Sequence, residues 1–136
     1  MTAKLPSELD LLDEIYRTGY EEFAAYSETN KTRSSKIWVP IDIEQLARKF
    51  DLDPDIIFGR LYYHLNEKYS HEMGDGTKSE FFLIRVGSDI HCVNFPYLSS
   101  ILASLKDEQQ RFRLTTAIAG LSLGISIVSI LIASLS

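Results

Sequence analysis

The sequence predicts an α+β chain in which helices and one small antiparallel hairpin lead into a long helix that enters one transmembrane helix. Three observations lead there. Apolar residues recur at helical spacing in two segments of the first 70 residues. Two β-rich runs flank Gly87-Ser88-Asp89 in "EFFLIRVGSDIHCVNF", a hairpin signal. From Leu114 to Ser136 there is no charged residue, so all 14 Lys and Arg, all 19 Asp and Glu and the whole formal charge of -5 belong to residues 1–113. A chain of 136 residues suits one domain with an appendage. The expected division is 1–96 for a cytosolic domain, 97–113 for an amphipathic connecting helix and 114–136 for the membrane anchor.

The first helix is expected from about 7 to 27. Ser7 follows Pro6 as an N-cap, with Asp10 three residues on, and Leu9, Leu12, Ile15, Tyr16, Tyr20 and Phe23 recur at helical spacing. The opening "MTAKLPSELDLLDE" lacks an apolar stretch after a basic start, so no secretory signal is expected. "SETNKTRSSK" is polar and reads as a loop, and its Lys31, Arg33 and Lys36 read as a solvated basic cluster able to help docking on anionic lipid. "IWV" at 37–39 is a short strand stopped by Pro40.

Asp42 caps the next helix, with Gln45 completing a capping box. Leu46 and Ala47 face inward, and the small Ala47 lets another helix cross closely. Phe50-Asp51-Leu52 makes a turn plugged by Leu52. Asp53 then caps a second helix with Pro54 at its first position and Ile57, Leu61 and Leu65 as its buried stripe. "HEMGDGTKSE" is a polar loop before the hairpin.

This apolar pair, small residue, short turn with a central apolar residue and capped second helix resembles the helix-turn-helix superfamily. With the leading helix, the early strand and the trailing hairpin, residues 7–96 are similar to a winged helix-turn-helix domain. The turn position often taken by Gly is Asp51 here, which tolerates the left-handed region.

The resemblance implies DNA binding through the second helix in the major groove. The charges argue against it. Affinity for a duplex comes largely from Lys and Arg against phosphates. The second helix begins "DLDPD", and residues 54–69 hold Arg60 and Lys68 against Asp55 and Glu67. The hairpin tip carries Asp89 with Arg85 as its nearby cation. The same helix offers Arg60, Tyr63, His64 and Tyr69 as a candidate partner-binding surface, since exposed aromatics are typical of protein interfaces. Its aromatics either pack under the hairpin or face that partner.

No Gly-rich phosphate loop, nucleophile elbow or Cys pair occurs. His71, Glu72, His91 and Cys92 are the nearest approach to a ligand cluster. Two lie in a loop, and two are strand neighbours that point to opposite faces, with Cys92 expected in the core and His91 outside. No catalytic residue, metal or cofactor is expected. The single Cys92 excludes an internal disulfide.

After Pro96, Leu98, Ile101, Leu102, Leu105 and Phe112 mark an amphipathic helix, and no Gly or Pro separates it from the uncharged tail. One nearly continuous helix from about 97 to 135 is therefore expected. Residues 114–136 reach the length of about 20 apolar residues that a bilayer crossing needs. Arg111 and Arg113 precede the span and nothing charged follows, so the positive-inside bias keeps the N-terminal domain cytoplasmic, as in a tail-anchored, single-pass protein of a bacterial inner membrane.

Within the span, Thr115, Ala119, Ser122, Ser126, Ser129, Ala133 and Ser136 form a heptad seam of small or hydroxylated residues. Thr116, Gly120 and Gly124 make a second small-residue face. At about 100° per residue the two glycines point away from the Ser122 seam. Two close-packing faces let one helix touch two neighbours.

The functional expectation is a membrane-anchored, non-catalytic adaptor or accessory subunit. Its domain binds a protein or itself, and its span self-associates or packs with partner helices. A variant is an effector of a bacterial defence or stress module whose clustered spans disturb the membrane. The alternative is a membrane-tethered DNA-binding regulator, which needs cations that the groove-facing helix mostly lacks.

Overall fold

The computed structural model describes residues 4–135 and is α+β, with two small antiparallel sheets and a long apolar C-terminal helix. Helix α1 spans Glu8–Ala25, and the Ser7 hydroxyl accepts from the Asp10 N–H as the capping pattern requires. Strand β1 is Trp38–Pro40 and helix α2 is Ile43–Phe50, capped by Asp42 through the Gln45 N–H. Asp51 ends α2 at φ 54°, ψ 51°, the left-handed conformation that the turn needs. Helix α3, Pro54–Gly59, starts on the Asp53 cap.

The single second helix of the sequence reading is interrupted. Arg60–Leu65 is a π-helical segment, with the Asn66 N–H donating to the Leu61 carbonyl, and α4 is Asn66–Tyr69. The reason lies in the stripe. Successive steps of four over-rotate an α-helix by about 40° each, yet Ile57, Leu61 and Leu65 are all fully buried. The wider turn keeps three side chains spaced by four on one face.

Strands β4 (Phe82–Val86) and β5 (Asp89–Asn94) form the hairpin, with positive φ at Gly87 and not at Ser88, as in a type II′ turn. The sheet order is β1-β5-β4. Val93 pairs with both Val39 and Phe82, so the three buried side chains share one inner face. Pro40 sits on edge strand β1, where a missing donor costs no ladder bond. The Asn66 carboxamide oxygen accepts from the N–H groups of Phe81 and Phe82 and fixes the start of β4 to the helix.

The loop expected between Ser70 and Glu80 carries its own small hairpin, β2 (His71–Glu72) and β3 (Lys78–Ser79). Asp75 builds its turn by accepting from the Thr77 N–H and hydroxyl, and Gly76 takes φ 87°.

Two compact units meet inside helix α5, Phe95–Leu135: one ends at Leu102 and the other begins at Ala103. In the first unit, Phe95, Leu98, Ile101 and Leu102 of α5 join the core with Leu11, Leu12, Ile15, Leu46 and Ala47. Phe95 stacks on Tyr16 and Phe23 of α1. The second unit is helix throughout its described length. Its side chains are exposed except Leu105, which is half-buried.

The basic loop is corrected by one residue. Arg33 is not solvated: its side chain is 1% exposed. It donates to the carbonyls of Glu22 (2.6 Å), Phe23 (3.2 Å) and Lys36 (2.6 Å) and lies over the Phe23 and Tyr26 rings. The last carbonyls of α1 have no partner inside the helix, and a guanidinium fork is the side chain able to serve several at once.

Candidate protein-binding face and membrane helix

Four residues of the second helix and its extension were expected to face a partner, and the fold separates them into two pairs. Arg60 donates to the Pro6 carbonyl at 2.9 Å. Tyr69 donates to the Glu8 carboxylate, and Lys68 reaches its other oxygen at 2.9 Å. These groups clamp the start of α1 to the second helix. Burial raises the Glu8 carboxyl. The hydrogen bonds from Tyr69 and Lys68, with the charges of Lys68 and His64, outweigh that and hold it below its ordinary value. Tyr63, 74% exposed, and His64 remain on the surface.

Tyr63 is the outer end of an aromatic ladder. Its ring meets Tyr62 edge-on at 5.0 Å, Tyr62 stacks on Phe58 at 5.5 Å, and Phe58 meets His91 at 5.6 Å and Phe82 at 6.0 Å. His91 and Phe82 are themselves nearly parallel at 6.4 Å. The ladder joins the second helix to the hairpin, from the buried Phe82 to the exposed Tyr63.

His91 was expected on the outer face of β5. It is half-buried instead, with φ 57°, a left-handed value inside a strand. The break in alternation leaves the consecutive Cys92 and Val93 both buried. The imidazole turns against Phe58 and Phe82 as a result. Burial pushes the Cys92 thiol up to about 11, and the charge of Asp89 acts in the same direction. Asp89 accepts from the Ser34 N–H at 2.8 Å, tying the hairpin tip to the loop before β1.

Beside the ladder lies an open groove of about 910 Å³ between the starts of α2 and α3 and the β5 strand. Ile41, Ile43, Phe58 and Ile90 give it apolar walls, and Asp42, Glu44, Asp55 and Asp89 rim it. No Lys or Arg lines it. Phe58 and Ile90 were not singled out in the sequence, where Phe58 is one more apolar residue beside the Ile57 stripe, and His91 was considered only as a ligand type beside Cys92. Only the broken strand brings the three together.

Helix α3 opens on Asp53 and Asp55, both exposed, while Arg60 and Lys68 are committed to Pro6 and Glu8. His71 and Glu72 lie exposed on β2, and no group of three or more metal-ligating side chains forms among the described residues.

In the second unit, α5 is long and apolar enough to cross a membrane. Leu114, Ile118, Leu121, Ile125, Ile130 and Leu131 are each more than half exposed. Thr115, Ala119, Ser122, Ser126, Ser129 and Ala133 fall along one side of this helix, Thr116, Gly120 and Gly124 along another, and Arg111 and Arg113 precede both. Ser136 of the seam lies outside the described residues. A Cβ added at Gly120 or Gly124 meets nothing within 4 Å. The Ser126 hydroxyl donates to the Ser122 carbonyl and the Ser129 hydroxyl to that of Ile125, both at 3.0 Å. These hydroxyls are satisfied within their own helix and add little polarity to its surface. Arg111 pairs with Asp107 at 3.1 Å.

No family model, curated protein or solved structure matched the chain.

Proposed function

We propose that this chain is a membrane-anchored, non-catalytic adaptor. Residues 1–96 act as a winged helix-turn-helix domain that grips protein, with α2 and α3 as the helix pair and β4–β5 as the wing. The helix beyond Arg113 is the bilayer anchor and associates with a second copy or with a partner's membrane helices.

The observation that carries the reading is the series of exposed Leu, Ile and Val from Leu114 to Leu135, with small and hydroxylated residues between them and no charged residue. In water such a surface is a large unfavourable apolar area. Lipid removes that cost along its length, and close packing at small residues adds van der Waals contact between helices. Arg111 and Arg113 favour a cytoplasmic domain. The acidic start of α3 and the exposed Tyr62 and Tyr63 favour a protein partner over a nucleic acid.

Cysteine cross-linking of the full chain in its membrane tests this. Cys92 is buried, so an introduced thiol in the span is the reactive one. Ser122→Cys, Ser126→Cys and Ser129→Cys should form disulfide-linked species, and Leu121→Cys and Ile132→Cys, on the side away from both small-residue faces, should do so weakly. Equal yields at all five positions, or none at any, would remove association with a second copy. Release of the chain from membranes by alkaline carbonate would remove the anchor.

A further inference from the structure

The groove is an apolar trough with an acidic rim. We propose that it holds an arginine-bearing apolar segment of a partner protein. The proposal rests on reading the first unit as a protein-binding domain and names the chemistry of what it binds.

Three features select that occupant. Charge is the first. Asp42, Glu44, Asp55 and Asp89 surround the opening without a Lys or Arg among the lining residues. One oxygen of Asp42 caps α2, and one oxygen of Asp89 holds the Ser34 N–H. A cation on the occupant meets a complementary field, and an anionic lipid or nucleic acid is repelled. The apolar wall is the second. Ile41, Ile43, Phe58 and Ile90 gain little from a small hydrophilic cation, whereas Leu, Ile or Phe side chains bury against them. The third is the aromatic end wall, where the edge of His91 meets Phe58. A guanidinium stacks on such rings and still reaches carboxylates, which an ammonium does less well. From Phe58 the ladder runs out to Tyr63, so a segment leaving the groove meets further aromatic surface.

The test uses the full chain in nanodiscs of zwitterionic lipid, with empty nanodiscs as the blank. Three fluorescein-labelled synthetic peptides of equal length serve as probes: alternating Arg and Leu, alternating Arg and Ser, and alternating Glu and Leu. Binding is read by anisotropy at moderate salt. The Arg–Leu peptide should bind most tightly. Ile90→Arg, which sets a cation in the groove mouth at an exposed position, should weaken it at least tenfold. The double variant Glu44→Lys with Asp55→Lys should do the same and should improve binding of the Glu–Leu peptide. Glu72→Lys, a charge change of the same sign outside the groove, should leave the Arg–Leu peptide nearly unchanged. Circular dichroism checks that each variant is folded.

Equal binding of the Arg–Leu and Arg–Ser peptides overturns the proposal, as does equal weakening by Glu72→Lys, because both mean attraction to an acidic protein at large. No binding of the Arg–Leu peptide beyond the blank also overturns it. None of these results bears on span cross-linking, so positive cross-linking with negative peptide binding would sink the groove alone.

Discussion

Arg33 donates to the main-chain carbonyl of Glu22 at 2.6 Å, joining the loop before β1 to the last turn of α1 across eleven residues. The same guanidinium also serves Phe23 and Lys36, and its side chain is almost fully enclosed. The Glu22 carboxylate lies farther off, at 3.7 Å, and is half exposed. The carbonyls matter more than the ion pair.

Arg33→Ala should therefore destabilise the chain by about 3 kcal/mol, since it removes charge-assisted bonds to three carbonyls and empties an enclosed site. Arg33→Lys should retain part of that, because one ammonium cannot reproduce the fork. Thermal unfolding followed by circular dichroism measures both. A loss below about 0.5 kcal/mol for Arg33→Ala would mean the site behaves as an ordinary surface residue.

The Glu8 clamp carries a pH signature. Its carboxyl is held below the ordinary value of 4.5, so the folded state binds the proton less readily than the unfolded state. Its contribution is fully present above about pH 4.5 and is lost as pH falls through the lowered folded value. Glu8→Gln should destabilise the chain at pH 7 and flatten this part of the acid profile. Tyr69→Phe should show a smaller version of both effects. Identical acid profiles for the parent chain and Glu8→Gln would remove the clamp.

Two glycines should answer oppositely to alanine. A Cβ on Gly19 falls 2.9 Å from the Phe95 ring, which is enclosed by Tyr16 and Phe23 and cannot retreat. Gly19→Ala should cost about 1–3 kcal/mol despite better helix propensity. A Cβ on Gly59 meets Tyr63 at an ordinary 3.8 Å, at helical φ and ψ. Gly59→Ala should add about 0.5–1 kcal/mol. Denaturant melts of the two variants decide it, and a destabilised Gly59→Ala would place a hidden contact at that turn.

Cys92 should resist thiol reagents in the folded chain. It is fully buried, and its thiol is raised to about 11, so very little thiolate exists at pH 7.5. Maleimide labelling should be slow in buffer and complete within minutes in denaturant. Fast labelling of the native chain would mean that β5 opens readily.

Much of the local plan was readable because it rests on short-range chemistry. Ser7, Asp42 and Asp53 cap the helices assigned to them, Asp51 takes the left-handed turn, and Gly87 takes the positive φ of the hairpin. These depend on residues within a few positions of each other. Arg33 was misread because a guanidinium in a polar loop looks the same in sequence whether it meets water or the carbonyls of a helix ten residues back. The π-helical segment left a trace, the two four-residue steps from Ile57 through Leu61 to Leu65, but such steps are also common in plain helices. The groove left none.

By itself the sequence determined the capped starts of the first three helices, the β4–β5 hairpin, and that a 23-residue uncharged tail is divided from a charged remainder. Periodicity, capping and hydropathy are properties of neighbours along the chain. Only the tertiary structure decided which polar side chains are consumed in holding the fold and which face outward. It turned Arg60, Lys68 and Tyr69 to the N-terminal segment, enclosed Arg33, and brought His91 against Phe58. Those outcomes depend on contacts between residues 10 to 61 positions apart. Long-range pairing is set by how elements pack, and no local pattern encodes it.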